Sequence, residues 1–351
     1  MTAPPDPFAG AARTGIHRIA VPTPFAVGTV NVYLIEDEPL TLVDAGPNSA
    51  TAFDALERGV GELGHTLEEI ELVVLTHQHI DHLGLVGLVA SRSGAEVAAL
   101  DVAVPFVERF SEEWEAGDAF AGGLMLRHGI PADIVSALQS VSRAFRAWGA
   151  PATITRVLAH GDRLALRDRS FEVLHRPGHS PTDTVFHDAE RRQLIAADHL
   201  LATISSNPLI IRPPDGATER PRVLPTHIES LRRTRELDLE LVLPGHGDPV
   251  TDHRALIDER FSMHRRRAEK LHGLIVERPR TAYELAQSLW GNIAVTQAFL
   301  TLSEVLGHAD MLLEQGRVAE VERDGITHFE AVGELDSDPR AVGEPDSGPR
   351  A

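Results

Sequence analysis

The sequence predicts an α/β fold, a four-layer αββα sandwich followed by a mainly helical C-terminal module. Three observations carry this prediction. Short strand-like runs recur in two blocks, Ile16 to Asp44 and Thr153 to Leu200, each followed by a helix and a further strand. A cluster of histidines and aspartates sits on the loop directly after a buried-type strand. From about Met263 onward the strand pattern gives way to helical spacing.

In chain order, residues 1–14 read as a flexible arm. The runs IHRIAVPTPF, TVNVYLIED and LTLVDAG then alternate with turn signals, as successive strands do. Residues 50–64 have helical spacing, ELVVLT (71–76) is a short buried strand, Leu83–Ser93 is helical and Glu96–Leu100 is another strand. Residues 105–150 break the rhythm with helical spacing, a Gly-Gly break and a Pro start at Pro131. This insertion is either extra packing on the sandwich edge or a lid giving an apolar wall to the substrate site. Strands resume as TRVLA, RLALR, FEVLHRPG, TVFHD and QLIAAD, a helix covers 223–239, and LELVL leads into PGHG. The expected catalytic domain is therefore 15–262.

Residues 263–332 read as three helices and a hairpin, a winged-helix-like module. HRRRAEKLHGLIVE is the first helix. Thr281 with Glu284 three residues on forms a capping box for the second. Residues 295–315 are the third, and the hairpin turns at Asp324-Gly325. The tail 333–351 repeats AVGELDSDPR as AVGEPDSGPR, is rich in Pro, Gly and acid, and is expected to be disordered.

Composition narrows the function. With 42% hydrophobic and 24% charged residues, the chain is an ordinary globular protein, and no apolar run approaches membrane-helix length. The N-terminus lacks a basic and then apolar leader, so cytoplasm is the expected location. There are no cysteines, which excludes disulfides, thiolate ligands and Cys nucleophiles. The net charge of −19 repels a phosphate backbone and makes nucleic acid a poor partner.

The chemistry sits in Thr76-His77-Gln78-His79-Ile80-Asp81-His82. Four ligand side chains within six positions, on a strand-to-helix loop, converge from one backbone turn. Imidazole nitrogen and carboxylate oxygen are what zinc accepts when no thiolate is present.

These residues resemble the metallo-β-lactamase superfamily, whose first motif is HxHxDH, with a metal site like that of glyoxalase II. The resemblance extends over roughly residues 14–262 and includes His179 in RPGHSPTD, Asp198 ending QLIAAD and His246 in LPGHGDP. It implies that His77, His79 and His179 bind one metal, that Asp81, His82 and His246 bind a second, and that Asp198 bridges them. Two Zn2+ ions are expected, with Mn or Fe also compatible with such ligands. Asp44, in TLVDAG, falls where the family places an acid that hydrogen-bonds a ligand histidine. The resemblance further implies a hydroxide shared by the metals, oriented by Asp81 and Asp198, attacking a carbonyl or phosphoryl centre without a covalent intermediate.

Among superfamily branches the chain looks most like the lactamase-β-2-like proteins, which carry a C-terminal winged helix. ISSNPLI after Asp198, LPGHG and His264-Arg265 all fit it. That branch implies either thioester hydrolysis, on acyl-CoA or acyl-carrier substrates, or single-stranded RNA cleavage; lactone hydrolysis is a further alternative. Residues 263–332 hold eight Lys/Arg against ten Asp/Glu, and the third helix has neither Lys nor Arg. A helix that reads nucleic acid needs basic side chains, so the esterase reading is preferred and the module is taken as packing, compatible with a homodimer. Arg212, with Arg220 and Arg222, is a candidate contact for a carrier phosphate or substrate carboxylate. His199, next to Asp198, is a candidate pocket residue. His160, His175 and His187 read as surface or structural.

Overall fold

A computed structural model describes residues 6–213, 217, 219–292 and 297–333. The strands β1 (Ile16–Pro22), β2 (Thr29–Ile35), β3 (Thr41–Val43), β4 (Leu72–Val74), β5 (Glu96–Leu100) and β6 (Arg156–Leu158) form one sheet in sequence order. It is antiparallel from β1 to β3 and parallel from β3 to β6. A second sheet runs in the order β11 (Leu241–Pro244), β10 (Gln193–Ala197), β9 (Thr184–Asp188), β8 (Ser170–His175), β7 (Arg163–Ala165). Only its β10–β11 pair is parallel.

The period of two along a strand explains the layering. In β2, Val30, Val32 and Leu34 face outward onto Leu56 and Val60 of α2 (Ala50–Glu62) and Val89 of α4 (Val86–Ser93). Tyr33 and Ile35 face inward and meet Phe171, Val173, Phe186 and Leu243 of the second sheet. A strand buried on both faces must be apolar at nearly every position, as TVNVYLI is. The outer face of the second sheet is covered by α8 (Val223–Arg235) and the start of α9 (His253–Glu277), through Leu231 and Ile257. The predicted αββα sandwich is thus the observed one.

Four expectations need correction. The arm 1–14 is not free where it is described: α1 (Ala9–Ala12) follows Phe8, which is buried 6.4 Å from the Tyr33 ring. The helix after the metal motif begins inside it, as α3 (Ile80–Leu83) ahead of α4. α8 ends at Arg235 rather than 239. The boundary at 262/263 falls inside α9, a 25-residue helix capped at its start by Asp252, whose carboxylate accepts from the Ala255 N–H.

The insertion consists of α5 (Val104–Glu108), α6 (Phe110–Arg127) and α7 (Ala132–Phe145). Its Leu124, Met125, Ile130 and Val135 share a core with Leu271 of α9, Leu285 of α10 (Ala282–Trp290) and Leu302 of α11 (Ala298–Glu314). A three-stranded sheet of β12 (Arg280–Thr281), β14 (Ile326–Ala331) and β13 (Val318–Arg323) completes the C-terminal module. The Thr281–Glu284 capping box forms as expected. Asp324 and Gly325 both take positive φ, which a two-residue hairpin turn requires. The expected disordered tail, beyond residue 333, lies outside the described residues, as does the expected start of the third helix at 295–296.

Candidate metal centre

β8 and β10 are both antiparallel to β9, and β11 is parallel to β10, so the C-terminal ends of β8, β10 and β11 lie on one edge. His179, Asp198 and His246 each follow one of these ends. The loop after β4, from the other sheet, delivers His77 and His79 to the same edge, and the first turn of α3 adds Asp81 and His82. Their ligand atoms converge in three groups, each within 4.8 Å: His77, His79 and His179; His77, His82 and Asp198; Asp81, His82 and His246.

The His246 turn is fixed by β2. Asn31 Nδ2 donates to the Pro244 and Gly247 carbonyls (2.9 Å each), and the Tyr33 hydroxyl donates to Pro244 O at 2.6 Å. Gly245 in this turn has no room for a side chain, because a Cβ would lie 2.2 Å from Asp198 Oδ1. The sequence reading missed Asn31 and Tyr33, since a polar residue inside an apolar strand carries no motif.

Partners behind the ligands orient them. Asp44 accepts from the Thr76 N–H (2.9 Å), the Thr76 hydroxyl (2.8 Å) and His82 Nδ1 (2.7 Å). It does so at φ 61°, a conformation costly for a residue with a side chain. His77 Nδ1 lies 3.0 Å from Thr76 Oγ1, and His246 Nδ1 donates to Thr29 O at 2.8 Å. The three rings therefore turn Nε2 toward the centre.

The donor set fits cations. His77 Nε2 and His179 Nε2 lie 3.1 and 2.9 Å from His79 Nδ1. With Nδ1 of His77 donating to Thr76, its Nε2 presents a lone pair to that crowd of nitrogens. His82 Nε2 and Asp198 Oδ1, both buried, have no hydrogen-bond partner among the described residues. Asp198 reaches both sides: Oδ1 is 3.5 Å from His82 Nε2, and Oδ2 is 3.5 Å from His179 Nε2 and 3.4 Å from His246 Nε2.

Electrostatics agree. Burial opposes charge on His82 and His246, yet the neighbouring carboxylates win: Asp44 and Asp198 hold His82 well above its usual range, and Asp198 lifts His246 to about 10. Burial likewise opposes ionisation of Asp198, and His246 and His82 pull it well below the carboxylate range. Burial and nearby histidines hold His77 low and take His79 to about 3. The three carboxylates demand positive charge here, from protons on two histidines or from metal ions.

A cavity of about 370 Å3 opens beside His79 and Asp81. Its walls come from Phe25 between β1 and β2, from Phe110, Trp114, Met125 and Leu138 of the insertion, from Leu209–Arg212, and from Phe299 of α11. Arg212 is on this wall, but its guanidinium is tied to Glu113 at 2.5 Å, and Glu113 also holds Arg109 at 3.0 Å. Arg220 forms two 2.7 Å bonds to Asp310, and Arg222 lies 3.6 Å from Glu314, so neither faces the site. His199 does not line the cavity as expected. It is buried behind the centre, with Nε2 2.8 Å from Thr234 Oγ1. Phe25, Glu113, Trp114 and Phe299 were not foreseen, because nothing local in the sequence marks a wall assembled from four distant segments.

Fold, edge-of-sheet ligand geometry and motif order define a candidate metal site on an αββα sandwich. The sequence model of the metallo-beta-lactamase superfamily matches residues 26–246, and the chain belongs to that superfamily. It is 35% identical over 294 residues to the probable metallo-hydrolase YqjP of Bacillus subtilis (strain 168), covering 84% of this chain and 91% of the relative. Among solved structures, the metallo-beta-lactamase family protein TTHA1429 of Thermus thermophilus superposes with a TM-score of 0.77 at 29% identity, covering 91% of this chain and 99% of that one. A beta-lactamase domain protein from Burkholderia ambifaria gives the same TM-score at 24% identity, covering 91% and 92%, and shows the fold alone. No helix among the described residues is long and apolar enough to cross a membrane.

Proposed function

We propose that this metallo-hydrolase cleaves thioesters, or related esters, of an apolar acyl group, using two zinc ions. The observation that carries the reading is the apolar cavity beside His79 and Asp81. Its volume lies within the range of small-molecule pockets. A carbonyl carbon near the metal ligands leaves its chain to lie along Phe110, Trp114 and Leu138, shielded from water.

His77, His79 and His179 would hold one ion, Asp81, His82 and His246 the other, with Asp198 reaching both. The ions, when bound, supply Lewis acidity and bring the pKa of water toward neutrality. The carboxylates of Asp81 and Asp198 orient the attacking water and accept its proton. Asp44 keeps His82 in register, and the Asn31 and Tyr33 bonds keep the His246 turn in place. The C-terminal module acts as a wall, through Phe299, rather than as a nucleic-acid reader: α11 carries no Lys or Arg. An RNA groove of positive potential has no support in a chain of net charge −19.

Metal analysis coupled to a panel of acyl-CoA thioesters, lactones, nitrocefin and single-stranded RNA tests this. Two metal equivalents and chelator-sensitive cleavage of octanoyl thioester, restored by zinc, are expected. Ala121 also lines the cavity, and Ala121→Phe, which narrows it, should cut kcat/KM for octanoyl-CoA by about tenfold or more and spare acetyl-CoA. Cleavage of RNA alone would overturn the reading.

A further inference from the structure

Gln78 stands between two ligand histidines and lines the cavity. Its side chain is clamped by the loop that carries His179. The Ser180 hydroxyl donates to Gln78 Oε1 at 3.0 Å, and the Thr182 hydroxyl makes a shorter bond to the same atom. Each hydroxyl also accepts from a backbone N–H: Ser180 Oγ from that of Thr182 (3.1 Å), Thr182 Oγ1 from that of Gln78 (3.2 Å). Ser180 and Thr182 are fully buried. With the amide turned the other way, the two could share one proton at their 3.3 Å contact, but the second would be stranded without an acceptor. The network therefore fixes the oxygen of the amide inward. Gln78 Nε2 has no partner among the described residues, and it is not sealed from the cavity.

The other polar groups of the wall are largely committed. Glu113 is paired with Arg212 and Arg109. Trp114 Nε1 donates to Ser142 Oγ (3.2 Å), and the Ser142 hydroxyl donates to Asp118 Oδ1 (2.6 Å). The cavity thus offers its occupant apolar surface along its length and an open, pre-oriented donor at the metal end.

We propose that Gln78 is a specificity-determining residue, its Nε2 donating to an oxygen of the acyl group held beside His79. The inference rests on the acyl reading of the cavity. Gln78 then selects occupants that present an acceptor at that point, and Arg212, the cation of the wall, is already paired with Glu113 and so is not free for an anionic chain end.

The test uses the zinc-loaded full chain with 15N-labelled glutamine side chains and octanoate as the probe. The chain has six glutamines, and the signals of Gln78 and Gln139, which also lines the cavity, are identified by their loss in Q78E and Q139E. Octanoate should shift both amides, the Gln78 protons downfield. Q78E keeps an acceptor for both hydroxyls but loses the donor, and should bind octanoate at least ~10-fold more weakly at unchanged zinc content. A shift at Gln139 with Gln78 unmoved overturns the donor role while the acyl cavity stands. No shift at either residue up to the solubility limit of octanoate overturns the acyl cavity and the donor role with it.

Discussion

Two groups of buried histidines lie side by side in this protein, and the carboxylate-facing members of the first have electrostatics opposite to those of the second. At the metal centre, His82 and His246 lie within 3.5 Å of Asp44, Asp81 or Asp198, and both are driven to carry positive charge. Behind it, His199 meets the Thr234 hydroxyl, and His264 Nδ1 lies 3.2 Å from His308 Nε2, with no carboxylate in hydrogen-bond reach of His199 or His264 among the described residues. Burial is the main cause here, and nearby arginines and histidines add to it: together they take His199 to about 3, His264 to about 2 and His227 well below its usual range. The comparison teaches that burial of an imidazole does not make a ligand. What sets the metal centre apart is the carboxylates among its imidazoles, which create a demand for a cation even where His77 and His79 are themselves held neutral.

The largest effect should come from removing that demand at its centre. Asp198→Ala is expected to lower hydrolysis by at least ~10³-fold, since the metal ions contribute several kcal/mol to transition-state stabilisation. Zinc stoichiometry should fall with it. His199→Gln, in the other cluster, should leave zinc content intact; equal metal loss in both variants would erase the distinction between the clusters.

Next in size is Asp44→Asn, which keeps the shape but gives His82 a neutral partner. Zinc affinity should drop about 10- to 100-fold in a chelator competition. If Asp44 served only its turn, the melting temperature would fall while zinc affinity held.

The smallest effect lies in the neutral cluster and is read through pH. A histidine whose folded pKa is depressed below the unfolded value of about 6.5 binds fewer protons folded than unfolded. Stability is then lost as pH falls from about 6.5 toward the folded value. For His264 this amounts to up to about 2 kcal/mol between pH 6.5 and 5. Denaturant unfolding at the two pH values should show His264→Gln losing less stability on acidification than the unaltered chain. An identical pH slope would mean that His264 is not neutral in the folded protein.

The fold and the ligand cluster were legible because both are written locally. Period-two apolar runs mark strands, and four donors within six residues mark a site whatever surrounds it. Asp44 was legible through its position in the superfamily pattern, although its three hydrogen bonds were not. The cavity was legible only in part: an apolar wall from the insertion and Arg212 at the site were among the expectations, but Phe25 and Phe299 join them only after folding. Arg212 looked available as a loose loop cation. Its partner Glu113 lies 99 residues away, a pairing with no local signature. Phe8 was hidden for a similar reason: one aromatic in a Pro- and Ala-rich arm gives no period, yet it finds Tyr33.

The long helix α9 starts against the catalytic sandwich and ends in the C-terminal core. At 1.5 Å per residue it is a girder about 37 Å long. The girder makes sandwich and module one frame rather than two bodies on a tether. Phe299, on the helix α11 that shares a core with α9, stands over the metal edge as part of that frame, and the reach from that ring to His79 sets a gauge. Whatever the enzyme accepts must fit this gauge, and a change of substrate range would come by refacing the walls rather than by swinging the module aside.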